Sequence, residues 1–109
     1  MRRAAKVDAN HAEIADAFRK CGCSVMSMAA IGNGCPDLLV AINGNTFAVE
    51  VKDGSLPPSE RRLTPLQEVW HREWRGRVYV VQSVDEAVCL VKMWRAPTWE
   101  QDRMLFAKT

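Results

Sequence analysis

The stretch Pro36-Asp37-Leu38-Leu39-Val40-Ala41-Ile42-Asn43-Gly44-Asn45-Thr46-Phe47-Ala48-Val49-Glu50-Val51-Lys52 decides the fold. Two apolar runs, Leu38 to Ile42 and Phe47 to Val49, flank the polar tetrapeptide Asn43-Gly44-Asn45-Thr46. This reads as two strands joined by a tight hairpin, with Gly44-Asn45 as the central pair. That turn sets Lys52 opposite Asp37 and Glu50 opposite Leu39. Side chains alternate across a strand, so Asp37, Leu39, Ala41, Ala48, Glu50 and Lys52 share one face. Leu38, Val40, Ile42, Phe47, Val49 and Val51 share the other, and all are apolar. A one-residue slip would mix the two sets, so the pattern itself selects the register. A bulge near Asp37 is the one local feature that would break this parity.

Charges are rarely set into apolar strands without a partner or a chemical task. Asp37 and Glu50 bring hard oxygen donors together, a donor type suited to Mg²⁺ or Mn²⁺. Such an ion polarises a phosphoryl oxygen and lowers the pKa of its water. Lys52 on the same face is suited to position that water or to offset charge developing on a phosphate. The competing reading is a set of cross-strand ion pairs on a half-exposed sheet, worth about 0.2–1 kcal/mol. Spacing alone leaves both open.

The surroundings are more specific. Gly32-Asn33-Gly34-Cys35 leads into Pro36-Asp37, and Glu50-Val51-Lys52 leads into a polar loop with Pro57-Pro58. A helix start, Thr64-Pro65-Leu66-Gln67, follows. In this order the pieces resemble the PD-(D/E)XK nucleases, and among them the virus-type replication-repair nuclease (VRR-Nuc) domain in its minimal, phage-type form. The resemblance runs from about Asn10 to Ala87. It implies the restriction-endonuclease-like α/β fold, with a central mixed sheet flanked by helices. It implies a Mg²⁺ site, with Mn²⁺ able to substitute, formed by Asp37, Glu50 and the Val51 carbonyl. An acid from the first helix joins this site and maps to Glu13. Lys52 becomes the catalytic lysine and Gln67 a helix-borne glutamine of the active site. The implied substrate is structured or branched DNA, cut by a homodimer similar to the Holliday-junction resolvases, phage-encoded in a bacterial host. A non-catalytic nucleic-acid-binding or assembly module and an RNA-directed nuclease are the alternatives. Keeping Asp37, Glu50 and Lys52 together disfavours the first, and metal-phosphate chemistry does not distinguish the sugar of the second.

With 109 residues, a single domain over 1–109 is expected, its core at about 10–94 and a tail at 95–109. Fifteen basic and thirteen acidic residues leave a net charge of only +2, which does not by itself announce a nucleic-acid binder. A metal at Asp37, Glu50 and Glu13 would leave the remaining surface more basic. Cys21 and Cys23 are too close for an ordinary disulfide or a zinc knuckle, so the four cysteines, with Cys35 and Cys89, read as buried or half-buried free thiols. That points to a reducing, cytoplasmic setting. Arg2-Arg3 opens no secretory signal, and no apolar run approaches the about 20 residues of a membrane helix. No membrane and no small-molecule cofactor are expected.

Along the chain, Asn10-His11-Ala12-Glu13 has the form of a capping box, and Gly22 closes the helix. Glu13 is therefore either cap or metal ligand. Ser24 to Ile31 is the first strand, weakened by Ala29-Ala30. Asp53 to Leu63 is an irregular loop whose Arg61 and Arg62 either hold a DNA backbone or form a solvated charge run. Gln67 carries the same double reading as Glu13. Leu66, Val69, Trp70 and Trp74 form the buried stripe of the next helix, with the tryptophans read as core rather than base-stacking platforms. His71 is expected to be exposed. Arg77 to Gln82 is the last strand. Ser83-Val84-Asp85-Glu86 caps a final helix with Ala87, Val88, Val91 and Trp94 on one side. Trp99, Met104, Leu105 and Phe106 either close the core or meet a second subunit.

Overall fold

The structure, a computed structural model, describes residues 8–96. The apolar tail from Trp99 to Phe106 lies outside these residues. The elements are α1 (His11–Lys20), β1 (Ser24–Ser27), β2 (Leu38–Ile42), β3 (Asn45–Val51), a 3-10 turn (Pro58–Glu60), α2 (Pro65–Glu73), β4 (Val78–Val81) and α3 (Val84–Arg95). The four strands form one mixed sheet in the order β1-β2-β3-β4. The first two pairings are antiparallel and β3–β4 is parallel. A parallel pair needs a crossover, and the segment containing α2 supplies it.

The hairpin forms, with one correction. β2 and β3 pair Leu38 with Val49 and Ile42 with Asn45. The central pair is therefore Asn43-Gly44, not Gly44-Asn45. Asn43 and Gly44 lie at φ 53° and 78°, the positive values a type I′ turn demands and that asparagine and glycine best tolerate. The register moves by two residues, so each side chain keeps its expected face. Continuing the ladder one step brings Asp37 opposite Glu50 rather than Lys52.

Leu38, Val40, Ile42, Val49, Val51 and Val81 form the buried back of the sheet. Ile14, Ala15, Ala17 and Phe18 of α1 and Ala87, Val91, Met93 and Trp94 of α3 close over it. The Trp94 ring stacks between Phe47 and Phe18, at centroid distances of 4.2 and 5.7 Å. This is one continuous core on one side of the sheet.

Other boundaries shift for identifiable reasons. β1 ends at Ser27: Met28 N–H makes one last bond to the Asp37 carbonyl, and the chain then turns, with Ile31 N–H donating to the Met28 carbonyl. The proline loop contains one 3-10 turn where no regular structure is expected. Asn10 occupies the N-cap position of α1 but its side chain makes no cap bond. Its amide instead donates to the carbonyls of Lys52 and Gln82, both at 3.1 Å, tying the start of α1 to the ends of β3 and β4. Ser83 caps α3 as expected, accepting from Glu86 N–H, while the Glu86 carboxylate reaches back to Gln82 N–H. The largest departure is α2, which buries none of its residues. Leu66, Val69 and Trp74 are exposed. Of the cysteines, all free, Cys23 is buried, Cys21 and Cys35 are half-buried, and Cys89 is exposed, against expectation. No helix among the described residues is long and apolar enough to cross a membrane.

Candidate active site

The front of the sheet carries Glu50 and Lys52 at the end of β3, only 1% and 7% exposed. With Asp37 and Gln67 they line a pocket of about 580 Å³ that Asp8, Glu60 and Arg62 also border. Three segments position these groups. The turn before β2 delivers Asp37, whose Oδ2 accepts from Val51 N–H at 2.8 Å. That contact joins the two carboxylate-bearing strands directly at Glu50-Val51. β3 delivers Glu50 and Lys52 by alternation. The first turn of α2 delivers Gln67.

Gln67 makes the cap bonds and also reaches Lys52 and Glu50. Thr64 Oγ1 accepts from Gln67 N–H at 3.2 Å, and Thr64 N–H donates to Gln67 Oε1 at 2.9 Å, a complete capping box. The same Oε1 accepts from Lys52 Nζ at 2.7 Å. Gln67 Nε2 donates to Glu50 Oε2 at 3.3 Å. One amide therefore bridges ammonium and carboxylate while being clamped by its own helix cap. No direct ion pair closes between Lys52 and either carboxylate among the described residues.

The approach of α2 depends on Gly34, at φ 82°. A Cβ there would stand 2.3 Å from the Leu66 carbonyl oxygen and 2.9 Å from Gln67 N. Only glycine permits this backbone-to-backbone contact between the turn leading to Asp37 and the first turn of α2.

The electrostatics of the pocket centre on Glu50. Burial first, and then the neighbouring Asp37, push the Glu50 carboxyl up to about 9, with Lys52 opposing. Glu50 Oε1 is buried without a hydrogen-bond partner. An orphaned carboxylate oxygen beside a second carboxylate fits a divalent ion chemically. Among the described residues no three His, Cys, Asp or Glu side chains converge on one point. Two carboxylates would leave several positions to water, which is how Mg²⁺ is usually held.

The other expected residues divide. Arg62 borders the pocket, but Arg61 turns away and its guanidinium donates to the Gln82 side chain. Glu13 is not brought to Asp37 and Glu50. It is exposed and lines a separate pocket of about 560 Å³ with Asp53, Arg61 and Glu86. Asp8, just before α1, is the acid from this part of the chain that borders the pocket. The reason is the Asn10 tether, which aims the start of α1, not its first turn, at the strand ends. His71 is also a correction: it is half-buried, with Nε2 3.6 Å from Glu50 Oε1. Burial, then the Lys52 charge, hold its pKa below the ordinary value. Its signal was present in the sequence, since position i+4 from Gln67 shares that helix face. Asp8 and Asn10 carried no comparable signal.

No family model matches the sequence, and no curated protein does. Comparison with solved structures finds similarity to one described as a VRR_NUC domain. The two share 30% sequence identity, the match covers 76% of this chain and 91% of that one, and the TM-score is 0.57. A sheet that places paired carboxylates and a lysine in one pocket, on this α/β architecture, defines a nuclease-family domain of restriction-endonuclease-like fold. The chain belongs to the VRR-Nuc family.

Proposed function

We propose that the protein is a metal-dependent DNA endonuclease that cuts branched DNA, as a homodimer. The observation that carries this reading is the Lys52–Gln67–Glu50 bridge beside Asp37, a buried ammonium and a buried carboxyl lining an open pocket. Burying an ammonium and a carboxyl is costly, and a purely structural role would be better served by a direct pair. Asp37 and Glu50, with the Val51 carbonyl, would hold Mg²⁺ or Mn²⁺, which when bound supplies Lewis-acid polarisation of the phosphate and an acidified water. The chain's own residues do the rest. Lys52, oriented by the Gln67 carbonyl, presents its ammonium to charge developing on the phosphate. Arg62 at the pocket edge is placed for a backbone phosphate.

The dimer follows from symmetry. A four-way junction has approximate two-fold symmetry, and matched cuts need two sites, whereas one chain provides one. Asp37→Ala and Glu50→Ala should each abolish Mg²⁺-dependent cleavage of a four-way junction while retaining the fold by circular dichroism. Lys52→Ala should lose cleavage far more than DNA binding. Wild-type cutting by either carboxylate variant removes the site. Activity on RNA in place of DNA, or a strict monomer by light scattering that still resolves junctions symmetrically, removes the corresponding part of the proposal.

A further inference from the structure

The stripe of α2 that the sequence assigns to the core lies in the open, and its last member is seated in a defined way. Trp74 is 51% exposed. Its ring stacks on Trp70, with centroids 4.6 Å apart and planes inclined by 19°. Its edge lies over Gly76, where a Cβ would stand 2.7 Å from Nε1. The indole is thus backed by a second ring and laid down over a residue with no side chain, and half of its surface remains accessible. The nearby residues are basic. Arg72, Arg75 and Arg77 are all exposed, against the single acid Glu73. Neither Arg72 nor Arg75 forms an ion pair among the described residues.

We propose that Trp74 is a stacking platform for an unpaired nucleobase of the DNA strand that enters the active site, with Arg72, Arg75 and Arg77 holding the flanking phosphates. This rests on the nuclease reading above and adds a substrate requirement, an unstacked nucleotide close to the cut. Aromatic rings interleaved with guanidiniums are the composition of a single-strand binding surface. The charge decides against a second copy of the chain as occupant, because a cluster of like charges around an apolar centre repels its own image across a two-fold axis. Position agrees. Trp74 is the C-cap of α2, seven residues beyond Gln67 and about 10 Å along the helix axis. That is about three stacked nucleotides at about 3.4 Å each.

The test is binding, with Ca²⁺ replacing Mg²⁺ to prevent turnover, measured by fluorescence anisotropy at fixed ionic strength. One labelled probe is a fully paired duplex, and the other is the same duplex with a single-stranded flap. Trp74→Ala should weaken flap binding about tenfold, or about 1.4 kcal/mol, within the range of about 1–3 kcal/mol for base–aromatic stacking. It should change duplex binding less than about twofold, and Trp74→Phe should restore most of the loss. Equal losses on both probes, or none on the flap, overturn the proposal. So does a fall in oligomeric state of Trp74→Ala in sedimentation velocity, which would make the ring a subunit contact. A flap-selective loss in a protein that cuts nothing with Mg²⁺ or Mn²⁺ keeps the platform and removes the nuclease reading.

Discussion

Helices α2 and α3 are built on one plan and used in opposite ways. Each begins at a hydroxyl cap, Thr64 or Ser83, and each carries an apolar stripe that ends in tryptophan. In α3 the stripe is Ala87, Val91 and Trp94, all buried on the back of the sheet. In α2 it is Leu66, Val69, Trp70 and Trp74, and Leu66 remains 60% exposed. The difference lies in what anchors each helix. α3 is held by its side against apolar strands, whereas α2 is held by polar contacts, Gln67 to Lys52 and Glu50 and His71 beside Glu50, and by the backbone approach that Gly34 admits. A hydrophobic period therefore identifies a face without identifying what covers it.

The strongest way to break this contrast is to delete the two terminal tryptophans. Trp94→Ala removes a ring packed between Phe18 and Phe47 and should lower stability by about 3–5 kcal/mol in urea unfolding. Trp74→Ala should lower it by about 1 kcal/mol or less, since only the Trp70 stack is lost. Equal costs would mean that α2 is packed as α3 is.

The caps sharpen the same contrast. Thr64→Ala and Ser83→Ala should each cost about 1 kcal/mol of stability. Only Thr64→Ala should slow cleavage, by about tenfold in single-turnover assays, because the Thr64 hydroxyl seats the Gln67 backbone, whose side-chain amide orients Lys52. If Ser83→Ala slows cleavage as much, the link between capping and catalysis is lost.

A further difference between the two helices concerns pH. The core under α3 is built of apolar groups, while α2 covers Glu50, whose carboxyl rises from 4.5 to about 9 in the fold. Between those values the native state holds a proton that the unfolded chain has released, so stability falls as pH rises across the window. Metal-free protein should therefore melt at a lower temperature near pH 9 than near pH 5. Glu50→Gln should flatten that slope. A melting temperature that climbs with pH would show that Glu50 is already ionised in the fold.

The core was legible because its information is local. Alternation through Leu38 to Ile42 and Phe47 to Val51 assigns every side chain to its face even though the hairpin register is two residues out, as parity survives an even shift. Asp37, Glu50 and Lys52 were legible as a set for the same reason, whereas Gln67 joined them only through the family resemblance. What escaped depends on contacts between distant segments. Asn10 looked like a cap and became a tether to Lys52 and Gln82, a choice its side-chain amide makes only when those carbonyls are present. That choice turned Glu13 away from the pocket and brought Asp8 to it. His71 was expected to face solvent among its charged neighbours, and it is half-buried because one turn beyond Gln67 it meets Glu50 of a distant strand.

The contact at Gly34 has a practical consequence. Because the turn before Asp37 and the first turn of α2 meet backbone to backbone, the separation between the carboxylate strands and the glutamine is defined by the thickness of a peptide chain. A single methyl group, in Gly34→Ala, would act as a shim under the helix. Every reactive group would remain in the protein while their spacing changed. An inactive but chemically complete form could thus be made for trapping DNA, without replacing any side chain that meets the phosphate.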